Sequence, residues 1–252
     1  MIALLEKAGE LDNTIVVMSG DNRLPFPRCK ATLYDTGIHV PLATRWGAKV
    51  KGGRDGKDFV TVCDLAPPFL EAGGLRPPVE ITGKTLMPIL MSEKFGQVDP
   101  TRNNVLTGMK RHVYLYPCRA IRTSDYLRIL NFDPGNWPTG EGKWSSADKD
   151  FSFNIGASPS EQFMVEHQSD PGVKPLYALA FGRRPEEKLH DLREDTQQLR
   201  NVAHQEEYGK IKQDLRRQLE VELRASQDLR FASAGRKTKT RKNGLFSSAS
   251  RS

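Results

Sequence analysis

The chain has 252 residues, 37% of them hydrophobic and 27% charged, enough for one large domain or two small ones and too apolar for wholesale disorder. No apolar run approaches the roughly 20 residues that a membrane-spanning helix needs. The formal net charge of +7 is local: seven bases and no acids follow Leu229, and removing those seven from 38 leaves 31 bases against 31 acids.

Residues 2–11 place Ile2, Leu4, Leu5, Ala8 and Leu11 near helical spacing, which predicts a short amphipathic helix. The opening residues turn charged too soon for the apolar core of a signal peptide. Neither an export signal nor a membrane span is therefore expected within these residues, and localisation is left open. After the Asp12–Asn13 turn, Thr14 to Met18 is a β-rich, mostly apolar run. Such runs form strands buried on both faces, as in parallel sheets. The run ends in the polar tip Ser19 to Asn22, and two prolines keep residues 23–30 irregular.

Val40 to Trp46 reads as a second strand, bent at its start by Pro41. Val60 to Ala72 reads as a helix interrupted by Pro67–Pro68 and stopped by Gly73–Gly74. A short helix is expected around Leu86 to Met91. Arg111 to Tyr116, Arg119 to Thr123 and Tyr126 to Phe132 read as short strands. Residues 133–175 show little periodicity, and Lys188 to Leu192 reads as another strand. Tyr208, Ile211, Leu215, Leu219 and Leu223 recur at helical spacing and make one apolar face, read as core packing. The chain therefore reads as α/β: part of a parallel sheet, then a smaller antiparallel sheet closed by a helix. The final stretch is rich in Ser, Gly and Lys and reads as a disordered tail. It lacks the interleaved aromatics of a nucleic-acid stacking platform, so no specific nucleic-acid partner is expected.

Asp21 and Asn22 follow directly on the first predicted strand, at the edge where open α/β sheets bind ligands. A carboxylate beside an amide offers hard oxygen ligands for calcium or magnesium; the same pair also makes a plain Asx turn. Lys30 follows the proline-constrained loop, close enough in sequence to reach back over the strand end. There an ammonium group would neutralise a sulfate or phosphate, whereas an ordinary surface lysine has no such role. Spacing alone leaves both readings standing. Cys29, Cys63 and Cys118 form no CxxC pair and no zinc-ligand cluster. His39, His112 and His190 have the chemistry to protonate a leaving alcohol, and equally the ordinary lives of packed or surface residues.

Several ordered segments together resemble the sulfatase family. Residues 11–22 (LDNTIVVMSGDN) are similar to the family segment commonly written DNTIVVFTSDNG. Residues 25–42 (PFPRCKATLYDTGIHVPL) are similar to PFPRAKATLYDAGIRVPL, the form typical of the branch related to N-sulfoglucosamine sulfohydrolase (heparan N-sulfatase). Residues 58–74, 82–88, 116–127 and 184–192 follow later family segments in the same order, so the resemblance covers about residues 1–230.

The resemblance implies the C-terminal part of an alkaline-phosphatase-like sulfatase fold, with a small antiparallel sheet plus a C-terminal helix. Its units would be a partial α/β core carrying the site (residues 1–104), an antiparallel subdomain with helix (105–230) and the basic tail (231–252). It implies hydrolysis of sulfate esters or sulfamates, with a sulfated sugar or sulfate monoester as substrate. Asp21 and Asn22 align with the second half of the calcium site, and Lys30 with the basic residue that contacts the sulfo group. His112, within a Lys-Arg-His segment similar to one in the family, is the histidine singled out as a catalytic candidate.

Three departures matter. None of the cysteines stands in the C-x-P-S-R motif that yields the formylglycine nucleophile, so formylglycine is expected to be absent. The paired aspartates that complete the family's calcium site are missing, and Arg23 replaces the glycine that usually follows the Asp-Asn pair. The expectation is a C-terminal fragment, inactive alone, that needs an upstream N-terminal half. Complete family members are usually exported. The alternative is a noncatalytic anion-binding, sulfated-glycan-binding or interaction protein derived from a sulfatase.

Overall fold

The first apolar run becomes a strand, but with a different partner from the one its pattern predicts. In the computed structural model, which describes residues 1–138 and 158–231, the predicted opening helix forms as α1 (Ile2–Lys7) and buries none of its residues. Strand β1 (Val16–Ser19) leads through α2 (Asp35–Ile38) to β2 (Leu42–Arg45), and the two strands pair antiparallel with Val16 opposite Arg45 and Ser19 opposite Leu42. This corrects the expectation of a doubly buried strand in a parallel sheet. Among the described residues, parallel pairing is limited to an isolated bridge between Gly56 and Gly96. The physical reason is plain: β-branched residues dictate extended backbone but not which neighbour completes the ladder. The ribbon they make leaves Met18 72% exposed.

Residues 62–102 are held by one buried ion pair. A short 3-10 turn (Val62–Leu65) runs into α3 (Ala66–Ala72), whose second and third positions are Pro67 and Pro68. The prolines start this helix instead of interrupting it, because N–H groups in a helix's first turn have no intrahelical acceptor to lose. The predicted short helix forms as α4 (Met87–Met91). The Asp64 carboxylate accepts from the Thr61 and Lys84 backbone N–H groups and from Arg102, whose guanidinium also donates to the Lys84 and Thr85 carbonyls.

The chain's main sheet follows, all antiparallel, in the order β3 (Asn104–Arg111), β4 (Leu115–Thr123), β5 (Tyr126–Asn131), β6 (Glu187–Asp191). Half of the expected strand Arg111 to Tyr116, residues 112–114, is the β3–β4 connection; the rest belongs to β3 and β4. Between β5 and β6 lie two helices that the sequence reading missed, α5 (Pro159–Glu166) and α6 (Lys174–Phe181). The final helix, α7 (Gly209–Ala225), is the predicted one.

Alternation along the strands gives the sheet two apolar faces. Ile121, Leu130 and Leu189 point to one, where Leu215, Leu219 and Leu223 of α7 cover them. Arg128 is fully buried beneath α7, and its guanidinium donates to the Glu187 carboxylate at 2.8 Å and the Lys212 carbonyl at 3.1 Å. Tyr116, Cys118, Ala120, Leu127 and Ile129 point to the other face, and Leu33 and Tyr34 cover that one. The segment leading into α2 is thus part of the core of the sheet. Phe231 packs edge to face on Phe132; the rest of the expected tail lies outside the described residues. No helix among the described residues is long and apolar enough to cross a membrane.

Candidate functional site

Asp21, Asn22 and Lys30 share the connection between β1 and α2. Asp21 is exposed and Asn22 half-buried. The Asn22 backbone N–H donates to Asp21 Oδ1 at 2.9 Å, a local bond that fixes the carboxylate. Calcium takes 6–8 oxygen ligands, and the described residues contain no group of three or more His, Cys, Asp or Glu placed to hold a metal. The residues present therefore do not fit a calcium ion by themselves. The Arg23 guanidinium donates to the Asp35 carbonyl at 3.4 Å.

The backbone around Lys30 is held in an unusual conformation. Arg28 and Ala31 have φ values of 64° and 59°, the left-handed region that side-chain-bearing residues rarely enter. Such strain persists only where its surroundings over-determine it, and here they do. The Arg28 guanidinium donates to the carbonyls of Gln197 and Gln198, and its own carbonyl accepts from Thr36 Oγ1 at 3.0 Å. Thr32 Oγ1 donates to the Cys29 carbonyl at 2.7 Å. Gly37 lies so close that a Cβ there would run into the Cys29 carbonyl oxygen. The half-buried Lys30 side chain makes no hydrogen bond or ion pair with any described residue, so the loop is built firmly around a cation left available.

Sequence reasoning missed the residues that anchor this loop to the sheet. Asp35 takes a two-pronged bond from Arg122 of β4, and its backbone N–H donates to Gln198 Oε1 at 3.0 Å. Tyr34 lies beneath, 1% exposed, with Lys188 Nζ donating to its phenol oxygen at 2.6 Å. Arg28 stacks over its ring, and His190 meets it edge-on at 5.7 Å between centroids. Burial, with the charges of Lys188 and Arg28, pushes the His190 imidazole down to about 4. A buried histidine held neutral and facing Tyr34 is a packing residue here. His39 is exposed just past α2, and His112 is exposed in the β3–β4 connection. No sequence signal links Arg28, Tyr34, Arg122 and Lys188, because they come from segments far apart in the chain.

Residues 29–136, which begin one position before Lys30, match the C-terminal family of N-sulphoglucosamine sulphohydrolase. Over this segment the chain is similar to the sulfatases. An ulvan-active sulfatase of Formosa agariphila is 25% identical over 223 residues, covering 86% of this chain and 39% of the relative. Human N-sulphoglucosamine sulphohydrolase is 26% identical over 147 residues, 51% of this chain and 27% of that protein. A solved structure of a protein in complex with its substrate D-glucosamine-2-N,6-O-disulfate superposes with a TM-score of 0.62 at 22% identity, over 90% of this chain and 37% of that one. This likeness places the fold with the alkaline-phosphatase-like sulfatases. The chain spans well under half the length of these sulfatase relatives.

Proposed function

We propose that the β1–α2 connection is part of a sulfo-group site, and that the protein it serves hydrolyses sulfate esters or sulfamates of sugars. The observation that carries this reading is Lys30, an available ammonium on a pinned loop within the segment that matches the sulfohydrolase family. A fixed cation beside a transferring sulfo group would offset the charge that develops there. Asp21 and Asn22 would supply two oxygen ligands of a calcium ion. The remaining ligands and the formylglycine nucleophile would come from a further polypeptide segment, an upstream N-terminal half. No cysteine of the 252 residues stands in a C-x-P-S-R motif, so these residues alone are expected to turn over nothing. The sulfated sugars named for the relatives support a sulfated sugar or sulfate monoester as the substrate class.

The test pairs binding with turnover. Calorimetry with a sulfated glucosamine should show weak binding that falls about tenfold in Lys30→Ala, the loss of one charge-assisted contact; unchanged affinity would remove Lys30 from the site. Sulfate release from a chromogenic aryl sulfate, with and without calcium, should be nil for the chain alone, and robust release would overturn its predicted inactivity.

Arg23, which follows Asn22 directly in the sequence, favours a second reading, a noncatalytic binder of anions or sulfated glycans, because a cation next to the Asp-Asn pair would oppose a metal there. Heparin binding that survives deletion of residues 233–252 and needs Lys30, with no turnover after an upstream half is added, would select this reading.

A further inference from the structure

Three cations surround one buried tyrosine without a carboxylate among them. The guanidinium carbons of Arg28 and Arg184 lie 3.8 and 5.3 Å from the Tyr34 ring centre, and Lys188 Nζ lies 5.3 Å from it. Arg184 is 7% exposed. Both arginines spend their side-chain hydrogen bonds on neutral carbonyls, Arg28 on Gln197 and Gln198 and Arg184 on Ala180. The acid facing the cluster, Asp195, accepts from the Arg200 backbone N–H at 2.7 Å and stands 3.8 Å from His190. Positive charge withdrawn from water in this way needs an anion beside it.

We propose that Tyr34 is that anion: its phenol releases its proton to solvent, and the phenolate is the internal counter-ion of Arg28, Arg184 and Lys188. The 2.6 Å contact with Lys188 is the short distance of a charge-assisted bond. Burial opposes ionisation of the phenol, but Arg184, Lys188 and Arg28 together outweigh it and bring Tyr34 to about 7. Burial pulls Lys188 down to about 8, against the attraction of Tyr34. The other groups facing the site from β4 and β6 do not compete for the role. Burial dominates at Tyr116 and raises its phenol, pushes the Cys118 thiol up to about 11, and keeps His190 neutral.

The consequence is a pH-dependent clamp. The Tyr34 phenol is depressed below its unfolded value of about 10. Its stabilisation is therefore complete above that value and lost as pH falls through about 7. The clamp holds the residues on either side of Lys30, so a sulfo-group site there would loosen on the acid side. That last clause rests on the proposed function; the clamp itself does not.

Ultraviolet titration of the full chain, with circular dichroism to verify folding, tests the proposal. One of the six tyrosines should show the tyrosinate band by about pH 8 and lose it on unfolding in urea at the same pH, since a free phenol ionises near 10. Lys188→Gln keeps Tyr34 but should move the midpoint alkaline by at least about tenfold in ionisation constant. Tyr34→Phe should abolish the band, and if that variant does not fold, the Lys188 variant carries the test. A folded chain with no tyrosinate below about pH 9 would have a neutral Tyr34–Lys188 pair, which overturns the proposal. A band that persists in Tyr34→Phe does the same. Lys30→Ala should leave the band unchanged, so loss of the sulfo-group reading and loss of the clamp are separate outcomes.

Discussion

Asp35 and Arg122 meet fork to fork, with the guanidinium Nε 3.0 Å from one carboxylate oxygen and the terminal nitrogen 2.9 Å from the other. The pair ties the start of α2, and with it the Lys30 loop, to the middle strands of the sheet. Burial acts to raise the Asp35 carboxyl, but bonding and charge from Arg122 hold it below the usual carboxylate range. Asp35→Asn should cost about 2 kcal/mol at neutral pH. A depressed carboxyl stabilises above its unfolded value and loses that contribution as pH falls through its folded one. The difference between wild type and variant in urea melts should therefore shrink toward about pH 3.

The Asp64–Arg102 pair makes a second, independent prediction. Both side chains are less than one-tenth exposed and 2.8 Å apart, and between them they satisfy five backbone groups of residues 59–85. Arg102→Met leaves the Asp64 charge buried without its partner, which should cost on the order of 3–5 kcal/mol. Gly83→Ala should destabilise the same region, because its Cβ would strike the Cys63 carbonyl. Thermal melts and proteolysis between residues 59 and 102 would register both.

How much of this was legible depends on where the deciding contact lies. The α7 stripe Leu215, Leu219 and Leu223 was readable because helical spacing reports its own buried face. Strands β5 and β6 were readable for the same local reason. The Ile15 to Met18 run declared a strand but could not name its partner, which lies beyond a long connection. Pro67–Pro68 was misread because a proline pair marks a helix start as readily as an interruption. Helix α5 did carry a signal, Ser158-Pro-Ser-Glu161, with the Ser158 hydroxyl accepting from the Glu161 N–H at 3.2 Å. In the candidate site, Asp21, Asn22 and Lys30 were visible through motif resemblance. The residues that hold their loop, Arg28, Tyr34, Arg122 and Lys188, were not, because only folding brings them together.

His190 should make the chain acid-sensitive. Burial first, then the charges of Lys188 and Arg28, lower its folded value to about 4, against about 6.5 when unfolded. The unfolded state thus takes up the proton first, and stability falls as pH drops from about 6.5 toward 4. Neither ring nitrogen makes a hydrogen bond among the described residues, so His190→Phe forfeits no bonded partner. The variant should match or exceed wild type at neutral pH and show a flatter acid limb. Equal slopes in urea melts from pH 4 to 7 would place the acid response elsewhere.

Arg23 is the residue by which this chain's Asp-Asn tip differs most from the sulfatase pattern, and its effect on metal binding is open to direct measurement. Two adjacent side-chain oxygens with no further acidic group gathered around them should hold calcium weakly, with affinity on the order of millimolar. Arg23 follows Asn22 directly and, among the described residues, its guanidinium is held by one long bond to the Asp35 carbonyl, so it is free to swing toward the tip. At about 4 Å in water-like surroundings, each unit of like charge costs on the order of 1 kcal/mol. Calcium carries two such units, so Arg23→Gly should tighten its binding by up to about thirtyfold, and Asp21→Ala in the same background should abolish it. Calorimetry on the three proteins measures both effects. If Arg23→Gly leaves the affinity unchanged, repulsion by this side chain does not weaken the metal site, and the noncatalytic reading loses the observation that favours it.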